Sequence, residues 1–117
     1  MMTIRLNKVR FFSYHGIYPG EETLGNNFEV NVEVTYDEKG KDITDISQTI
    51  SYEDLFHIIK SHMDIPTPLL ETIAINAGKE IHQRFPHIIS IKIDIDKMHA
   101  PIDGLDGVVG VTWYNSY

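Results

Sequence analysis

Strict alternation of apolar and polar residues is the feature that most constrains the fold of this chain. Isoleucine occupies every second position from Ile89 to Ile95, and Lys97 takes the next place in the row. Successive side chains of a β-strand point to opposite faces, so the four isoleucines and Lys97 share one face of a strand about 26 Å long. The other face carries charged residues, namely Lys92, Asp94 and Asp96. Lys97 therefore marks the point where an apolar core meets the turn-rich segment 98–104.

The same period of two predicts three further strands. Residues 28–36 alternate Phe, Val and Tyr with polar side chains, and residues 109–113 place Val, Val and Trp in one row. The first strand is predicted over Thr3–Tyr14, with a change of phase near Asn7-Lys8 that indicates a β-bulge. The segment 18–26 is rich in turn residues, so the first two strands should form a hairpin.

Two amphipathic helices are predicted between the second and third strands. Ser51 should cap the first helix, with Asp54 at its third position. Thr67 should cap the second, with Pro68 at its first position. The predicted buried stripes comprise Tyr52, Leu55, Phe56, Ile59 and Met63 in the first helix, and Leu70, Ile73, Ala74, Ala77, Ile81 and Phe85 in the second. The result is one α+β domain over residues 1–117, ordered β-β-α-α-β-β, with a four-stranded antiparallel sheet and both helices on one face.

Composition narrows the classes of partner and compartment. Ten Lys and Arg against seventeen Asp and Glu give a net charge of -7, so we expect neither nucleic acid nor an anionic membrane as partner. Without cysteine there are no disulfides and no thiolate ligands or nucleophiles. The start lacks the apolar block of a signal peptide, and no segment approaches the roughly 18 apolar residues of a membrane span. We therefore expect a cytoplasmic protein, and a homo-oligomer because long strands leave sheet edges that must be covered.

Taken singly, each candidate site residue has an ordinary structural explanation. Lys97 could lay its stem on apolar surface and extend its charge into water. Glu71 would suit the helix dipole in the first turn of the second helix. Tyr52 could pack into the core with its hydroxyl satisfied, and Glu21 could be a solvated turn residue. The six histidines lack metal-binding spacing, so no metal site is predicted. The residues alone thus predict an α+β oligomer with polar sites at the ends of its elements.

Four segments together resemble the dihydroneopterin aldolase family. They are residues 12–25, with Tyr14-His15-Gly16 and Glu21, and residues 49–52, 69–74 and 97–102. They follow the family's order with similar spacing over nearly the whole chain. The resemblance implies the tunnelling fold, in which the sheets of several subunits join into a β-barrel. Typically four chains form a ring and two rings form an octamer, with active sites between subunits.

The resemblance also implies an activity and residue roles. The family cleaves 7,8-dihydroneopterin into 6-hydroxymethyl-7,8-dihydropterin and glycolaldehyde by a metal-independent, cofactor-free retro-aldol reaction of folate biosynthesis. By the resemblance, Glu71 binds the 2-amino and ring N–H edge of the pterin, helped by the backbone near Leu70. Glu21 and Tyr52 contact the substrate, with Tyr52 donated by the neighbouring subunit. Lys97 and Tyr52 are the expected catalytic pair, and the charge of Lys97 in the complex stays open.

Two departures from the family pattern keep alternatives open. Met98 stands where many aldolases have proline, and Asp103 replaces a frequent proline before Gly104. The Lys-x-His-Ala pattern also resembles dihydroneopterin triphosphate epimerases, which share the Glu, Tyr and Lys positions. Tyr14-His15-Gly16 and residues 101–104 favour the aldolase, with some epimerisation at side-chain C2′ expected. The alternatives are the triphosphate epimerase, a non-catalytic pterin-binding oligomer and, more distantly, a zinc-dependent pterin synthase.

Overall fold

Four long strands form one antiparallel sheet in the computed structural model, which describes all residues 1–117. The strands are β1 (Met2–Ser13), β2 (Asn26–Tyr36), β3 (Ile88–Lys97) and β4 (Val109–Ser116), and they neighbour one another in chain order. The helices are α1 (Glu21–Leu24), α2 (Tyr52–Met63) and α3 (Leu70–Arg84), with a 3-10 turn at Ile46–Gln48. The predicted β-β-α-α-β-β order is confirmed, with the one-turn helix α1 inserted between β1 and β2.

The apolar rows of β2 and β3 form the centre of the core. Val30, Val32 and Val34 pair with Ile95, Ile93 and Ile91, and all six are buried. Their side chains belong to one cluster with the apolar stripes of α2 and α3, which cover the same face of the sheet. Each fully buried Val or Ile contributes about 1.5–3 kcal/mol, so this face fixes the register of the sheet. No helix of the domain combines the length and the hydrophobicity that a membrane span requires.

Two irregularities interrupt the strands, of which one was predicted. The pairing of β1 with β2 shifts between Leu6 and Val9, and Lys8 has a φ of 53°, which confirms the predicted bulge. The pairing of β2 with β3 shifts at the end of β2, where Ile88 rather than Ile89 lies opposite Tyr36. The prediction that Ile89 belongs to the inward row is therefore wrong. The N–H of Ile88 donates to the carbonyl of Phe85, and this tight connection from α3 brings Ile88 into the buried position.

Of the two predicted helix starts, one is confirmed and the other is wrong. Ser51 caps α2 by accepting a hydrogen bond from the N–H of Asp54 at 3.2 Å, as predicted. Tyr52 does not join the buried stripe, because it is the first residue of α2 and its side chain is 67% exposed. Ile58 is buried instead, and Phe56 only half-buried.

α3 begins later than predicted. Its N-cap position is Leu69 rather than Thr67, and no side chain caps it. Thr67 is engaged elsewhere, because its hydroxyl donates to the carbonyl of Ile65 and its N–H donates to His15. The predicted stripe is buried from Leu70 to Ile81, while Phe85, just beyond the helix, is half-buried.

Candidate active site at the Lys97 end of the sheet

Lys97 lies at the end of β3, where it pairs with Phe28 on one side and Val109 on the other. The alternation of β3 turns its side chain toward the core face, and the residue is 6% exposed. Its Nζ donates to both carboxylate oxygens of Glu21 at 3.0 Å. The alternative in which the ammonium extends into water is therefore wrong for this chain. The amino group of Lys97 is buried, and its hydrogen-bond partner is the carboxylate of Glu21, which accepts through both oxygens.

Glu21 is the first residue of α1 and is 8% exposed, so the expectation of a solvated turn residue is wrong. Its N–H donates to the carbonyl of Tyr18, and Gly20 takes the left-handed φ of 92° that lets the chain turn into α1. Burying a lone charge costs several kcal/mol, and a bidentate contact between opposite charges offsets much of that cost. The Lys97–Glu21 pair is thus neutral as a unit and held by two elements distant in sequence.

The backbone of Gly16 packs directly against this ion pair. A Cβ at this position would lie 1.0 Å from Oε2 of Glu21 and 2.9 Å from Nζ of Lys97. Its φ of 143° also disfavours any residue with a side chain. Glycine is required here because the carboxylate packs directly on the backbone.

His15 precedes this glycine and is 1% exposed. Its Nδ1 accepts a hydrogen bond from the N–H of Thr67 at 3.1 Å, and its ring packs edge-on against Phe28. Burial is the main cause that lowers the pKa of His15 below its usual value. The carbonyl of Met63 opposes that shift, and the charge of Lys97 adds to it. Nε2 is buried and makes no hydrogen bond of ordinary geometry within the chain.

Asn26 holds the segment that follows Lys97. Its side-chain Nδ2 donates to the carbonyl of His99 at 2.7 Å, and its Oδ1 accepts from the N–H of His99 at 3.2 Å. The N–H of Met98 donates to the carbonyl of Asn27 at 2.9 Å. Asn26 follows Gly25, whose N–H closes α1 on the carbonyl of Glu21. The amide therefore clamps the two segments that carry the ion pair, a role that sequence reasoning missed.

The start of α3 lies at this same end of the sheet. The N–H of Gly16 donates to the carbonyl of Thr67 at 3.2 Å, which adds to the His15 bond and places the α2–α3 connection beside the end of β1. Leu70 is buried, and Glu71 is exposed in the first turn of α3. Glu21, Lys97, Leu70 and Glu71 are thus brought to one end of the domain.

Tyr52 lies at the opposite end. The hydroxyl of Tyr36 donates to Thr49 at 2.8 Å, which places the entry to α2 beside the end of β2 that pairs with Ile88. Lys97 pairs with Phe28 at the other end of β2, roughly 26 Å away for eight steps along a strand. Within one chain, Tyr52 and Lys97 cannot act on the same atom.

A cleft of about 210 Å³ opens beside the ion pair. It is lined by Pro19, Glu21, Leu24, Gly25, Asn26, His99 and Pro101. A slightly larger hollow of about 230 Å³ lies at the far end of the sheet, around Tyr36 and His87, remote from Lys97. We assign the chemistry to the smaller cleft, because it is there that a buried charged pair borders an opening. No three His, Cys, Asp or Glu side chains converge in a way that could hold a metal ion.

Sequence comparison agrees with the resemblance drawn from the four segments. A family model described as dihydroneopterin aldolase matches residues 4–114. A dihydroneopterin aldolase of Staphylococcus epidermidis is 31% identical over 108 residues, covering 90% of this chain and 89% of the relative. One from Streptococcus pyogenes is 31% identical over 113 residues, covering 95% of each chain.

Structural comparison supports the fold. The crystal structure of E. coli dihydroneopterin aldolase in complex with neopterin superposes with a TM-score of 0.86, covering 99% of this chain and 100% of that one. Sequence identity between the two is 21%, so this likeness concerns the fold alone.

Proposed function

The chain belongs to the dihydroneopterin aldolase family, and from this premise we propose that its Lys97–Glu21 centre cleaves 7,8-dihydroneopterin. The protein is an aldehyde-lyase of folate biosynthesis that binds a small-molecule pterin. The products are 6-hydroxymethyl-7,8-dihydropterin and glycolaldehyde. The observation that carries the residue assignment is the buried Lys97–Glu21 pair at the edge of the cleft.

The reaction needs a base, an electron sink and an acid. The base removes the proton of the side-chain hydroxyl, through water, as the neighbouring C–C bond breaks and glycolaldehyde leaves. The electron pair of that bond moves into the conjugated C=N of the dihydropterin ring, which serves as the sink. An acid then protonates the side-chain carbon that stays on the ring. Lys97, whose Nζ donates to both oxygens of the Glu21 carboxylate, suits the acid step, and Tyr52 suits the transfer of the hydroxyl proton.

The pterin ring is assigned to the start of α3. A carboxylate accepts two parallel N–H bonds well, and the 2-amino group and ring N–H of a pterin present such a pair. Glu71 is exposed in the first turn of α3, next to the buried Leu70, whose backbone adds further contacts. Glu21 borders the cleft, where it contacts the side chain of the substrate.

A site shared between subunits supplies the missing tyrosine. Tyr52 is exposed and far from the Lys97 of its own chain, while β1 and β4 each leave one sheet edge unpaired. The cleft of about 210 Å³ is also smaller than the roughly 300–1,000 Å³ of typical ligand pockets. We therefore assign the single domain of residues 1–117 to a tetrameric barrel ring, stacked as an octamer in the cytoplasm, with Tyr52 entering the site of its neighbour.

The assay follows from the products. Purified protein incubated with 7,8-dihydroneopterin should release glycolaldehyde. The variant Lys97→Ala should still bind a pterin but lose on the order of 100-fold or more in kcat. Lys92→Ala is the matched control, because Lys92 lies on the exposed face of the same strand. Binding without any release of glycolaldehyde by the wild-type protein would instead identify a non-catalytic pterin-binding oligomer.

Epimerisation at C2′ is proposed as a side reaction, because the cleaved aldehyde can turn and rejoin before it leaves. A main role as triphosphate epimerase is less favoured, since three phosphates need several cations. Glu21 borders the cleft, and His99 is its one basic side chain. Chromatography of the reaction mixture would decide: the epimer should be a minor product beside 6-hydroxymethyl-7,8-dihydropterin.

A further inference from the structure

His15 links the two halves of the proposed site. Because its Nδ1 accepts a hydrogen bond from Thr67, that nitrogen carries no proton, and the proton of the neutral ring is on Nε2. The next residue, Gly16, donates a second bond to the carbonyl of Thr67. Two hydrogen bonds therefore tie the end of β1 to the segment that leads into α3.

The tie lies between the groups assigned to binding and to chemistry. On one side, Gly16 is packed against the Glu21 carboxylate and the Lys97 ammonium. On the other side, Thr67 precedes the first turn of α3, which carries Glu71. A change in this tie would move the two groups relative to each other while leaving each in its own element.

Packing alone does not explain a histidine at this position. The ring is buried against Phe28, where an aliphatic side chain could also pack. Its Nε2 has no hydrogen-bond partner, and a buried unsatisfied donor destabilises the folded state. What the imidazole offers in return is the acceptor at Nδ1.

We infer that His15 is a positioning residue of the cleavage reaction, whose Nδ1 holds the start of α3, and with it Glu71, at the working distance from Lys97. The inference rests on the proposed function, because it presumes that Glu71 binds the pterin and Lys97 acts on its side chain. His15 itself is enclosed and contacts no substrate. A misplacement of about 1 Å between substrate and catalytic group can cost on the order of 100-fold in rate.

Two substitutions separate the acceptor from the bulk of the ring. In His15→Asn the side-chain oxygen takes the place of Nδ1 as acceptor, whereas His15→Leu fills much of the space without one. Steady-state kinetics with 7,8-dihydroneopterin should give His15→Asn a kcat within about threefold of wild type. His15→Leu should lose about tenfold or more in kcat, with KM and the Kd of the product pterin changed less than about threefold. The exposed His57, replaced by leucine, is the control and should behave as wild type.

The outcomes are distinct. A folded His15→Leu with wild-type kcat, or a loss that appears in KM alone, would overturn the positioning role. Equal losses in the Asn and Leu variants would show that the acceptor is not what matters. If circular dichroism shows that His15→Leu does not fold, a folded His15→Asn with more than a tenfold loss overturns the inference, and one near wild type supports it. Wild-type protein that releases no glycolaldehyde would refute the proposed function, and this inference with it.

Discussion

Lys97 and Glu21 are both buried, and the two hydrogen bonds between them replace the hydrogen bonds to water that each loses on folding. In the proposed site, a substrate that entered the cleft would meet the carboxylate first, since Glu21 lines it. Under the proposed mechanism, binding would exchange one hydrogen bond of the pair for a hydrogen bond to the substrate, which would make Lys97 available while Glu21 still compensates its charge. The resting pair thus holds the lysine in place without a bound ligand.

The periodicity of the sequence predicted one member of this pair and not the contact. Lys97 was found because a row of isoleucines ends on it, which is a local signal. Glu21 lies 76 residues earlier, in a segment that has no periodicity, and its burial depends on how α1 folds over β3. The resemblance supplied Glu21 as a candidate, but the bidentate pairing needed the three-dimensional structure.

A substitution at Gly16 would test how closely the ion pair packs on the backbone of this residue. Gly16→Ala should displace the Glu21 carboxylate, because the added carbon would lie 1.0 Å from Oε2, and should lower both kcat and the melting temperature. The strained φ adds a cost of about 1 kcal/mol or more. Gly107→Ala is the control, because nothing lies within 4 Å of a Cβ there. Equal activity in the two variants would show that the pair is not seated on Gly16.

His15 predicts a pH dependence of stability. Burial, assisted by the charge of Lys97, holds the pKa of His15 below its usual 6.5 in the folded protein. As pH falls below 6.5 the unfolded chain binds the proton first, so the free energy of unfolding should decrease until the folded-state pKa is passed. Well above 6.5 both states are neutral at this residue, and the free energy of unfolding no longer depends on its titration. Urea denaturation at several pH values would measure the slope, which should be smaller in His15→Asn.

Asp96, a half-buried carboxyl group, sets the lower limit of that experiment. Burial raises the pKa of the Asp96 carboxyl above its usual 3.8, and the charges of Asp94 and Glu29 add to the effect. A raised carboxyl pKa favours the folded state as pH falls, which opposes the contribution of His15. The measurements should therefore stay above about pH 5. A flat free energy of unfolding from neutral pH to that limit would contradict the assignment to His15.

At the scale of elements, boundaries were predictable where a local hydrogen bond sets them. Ser51 caps α2 because its own oxygen reaches the N–H of Asp54, and sequence suffices for that. Thr67 looks like a cap in sequence, yet its N–H is claimed by His15 from 52 residues away, and α3 starts at Leu70. Ile88 replaces Ile89 in the core row for a similar reason, since the connection from α3 sets the phase of β3. Tertiary partners overrode the local pattern in both cases.

Asn26 connects two of these elements, and its replacement should loosen the end of β3. Asn26→Asp keeps the oxygen that accepts from the N–H of His99 but places a second oxygen against the carbonyl of His99. We expect a loss of about 1–3 kcal/mol in the free energy of unfolding, from a hydrogen bond replaced by repulsion, and a lower kcat. Urea denaturation and steady-state kinetics would measure the two effects.

The neighbouring residue supplies the control for this change. Asn27→Asp adds the same charge one position along, where the side chain is exposed and the backbone carbonyl makes the contact to Met98. It should leave both measurements near wild type. If the two variants lose stability and activity equally, the effect comes from added negative charge and not from the clamp.

At the scale of the whole molecule, topology separates residues that the chemistry would combine. The hairpin of β1 and β2 returns the chain to the end of the sheet opposite Lys97, so α2 begins there, next to Tyr36. α2 then runs back, and α3 begins at the Lys97 end. A site that uses both Tyr52 and Lys97 must therefore take them from different chains. The start of α2 at Ser51 was predicted correctly, but this separation follows only from the pairing of the strands.

Mixed oligomers provide the corresponding test. Tyr52→Ala and Lys97→Ala should each form inactive homo-oligomers. Oligomers assembled together from equal amounts of both should regain activity, because some interfaces then join an intact Tyr52 from one chain to an intact Lys97 from its neighbour. Random assembly makes this so for roughly a quarter of the sites, as expected for a ring of identical head-to-tail contacts. Activity would be measured as glycolaldehyde release after joint refolding or co-expression, with the separately refolded variants mixed afterwards as the control. If both residues acted within one chain, every site in the mixture would lack one of them, and a mixture as inactive as its components would exclude the shared site.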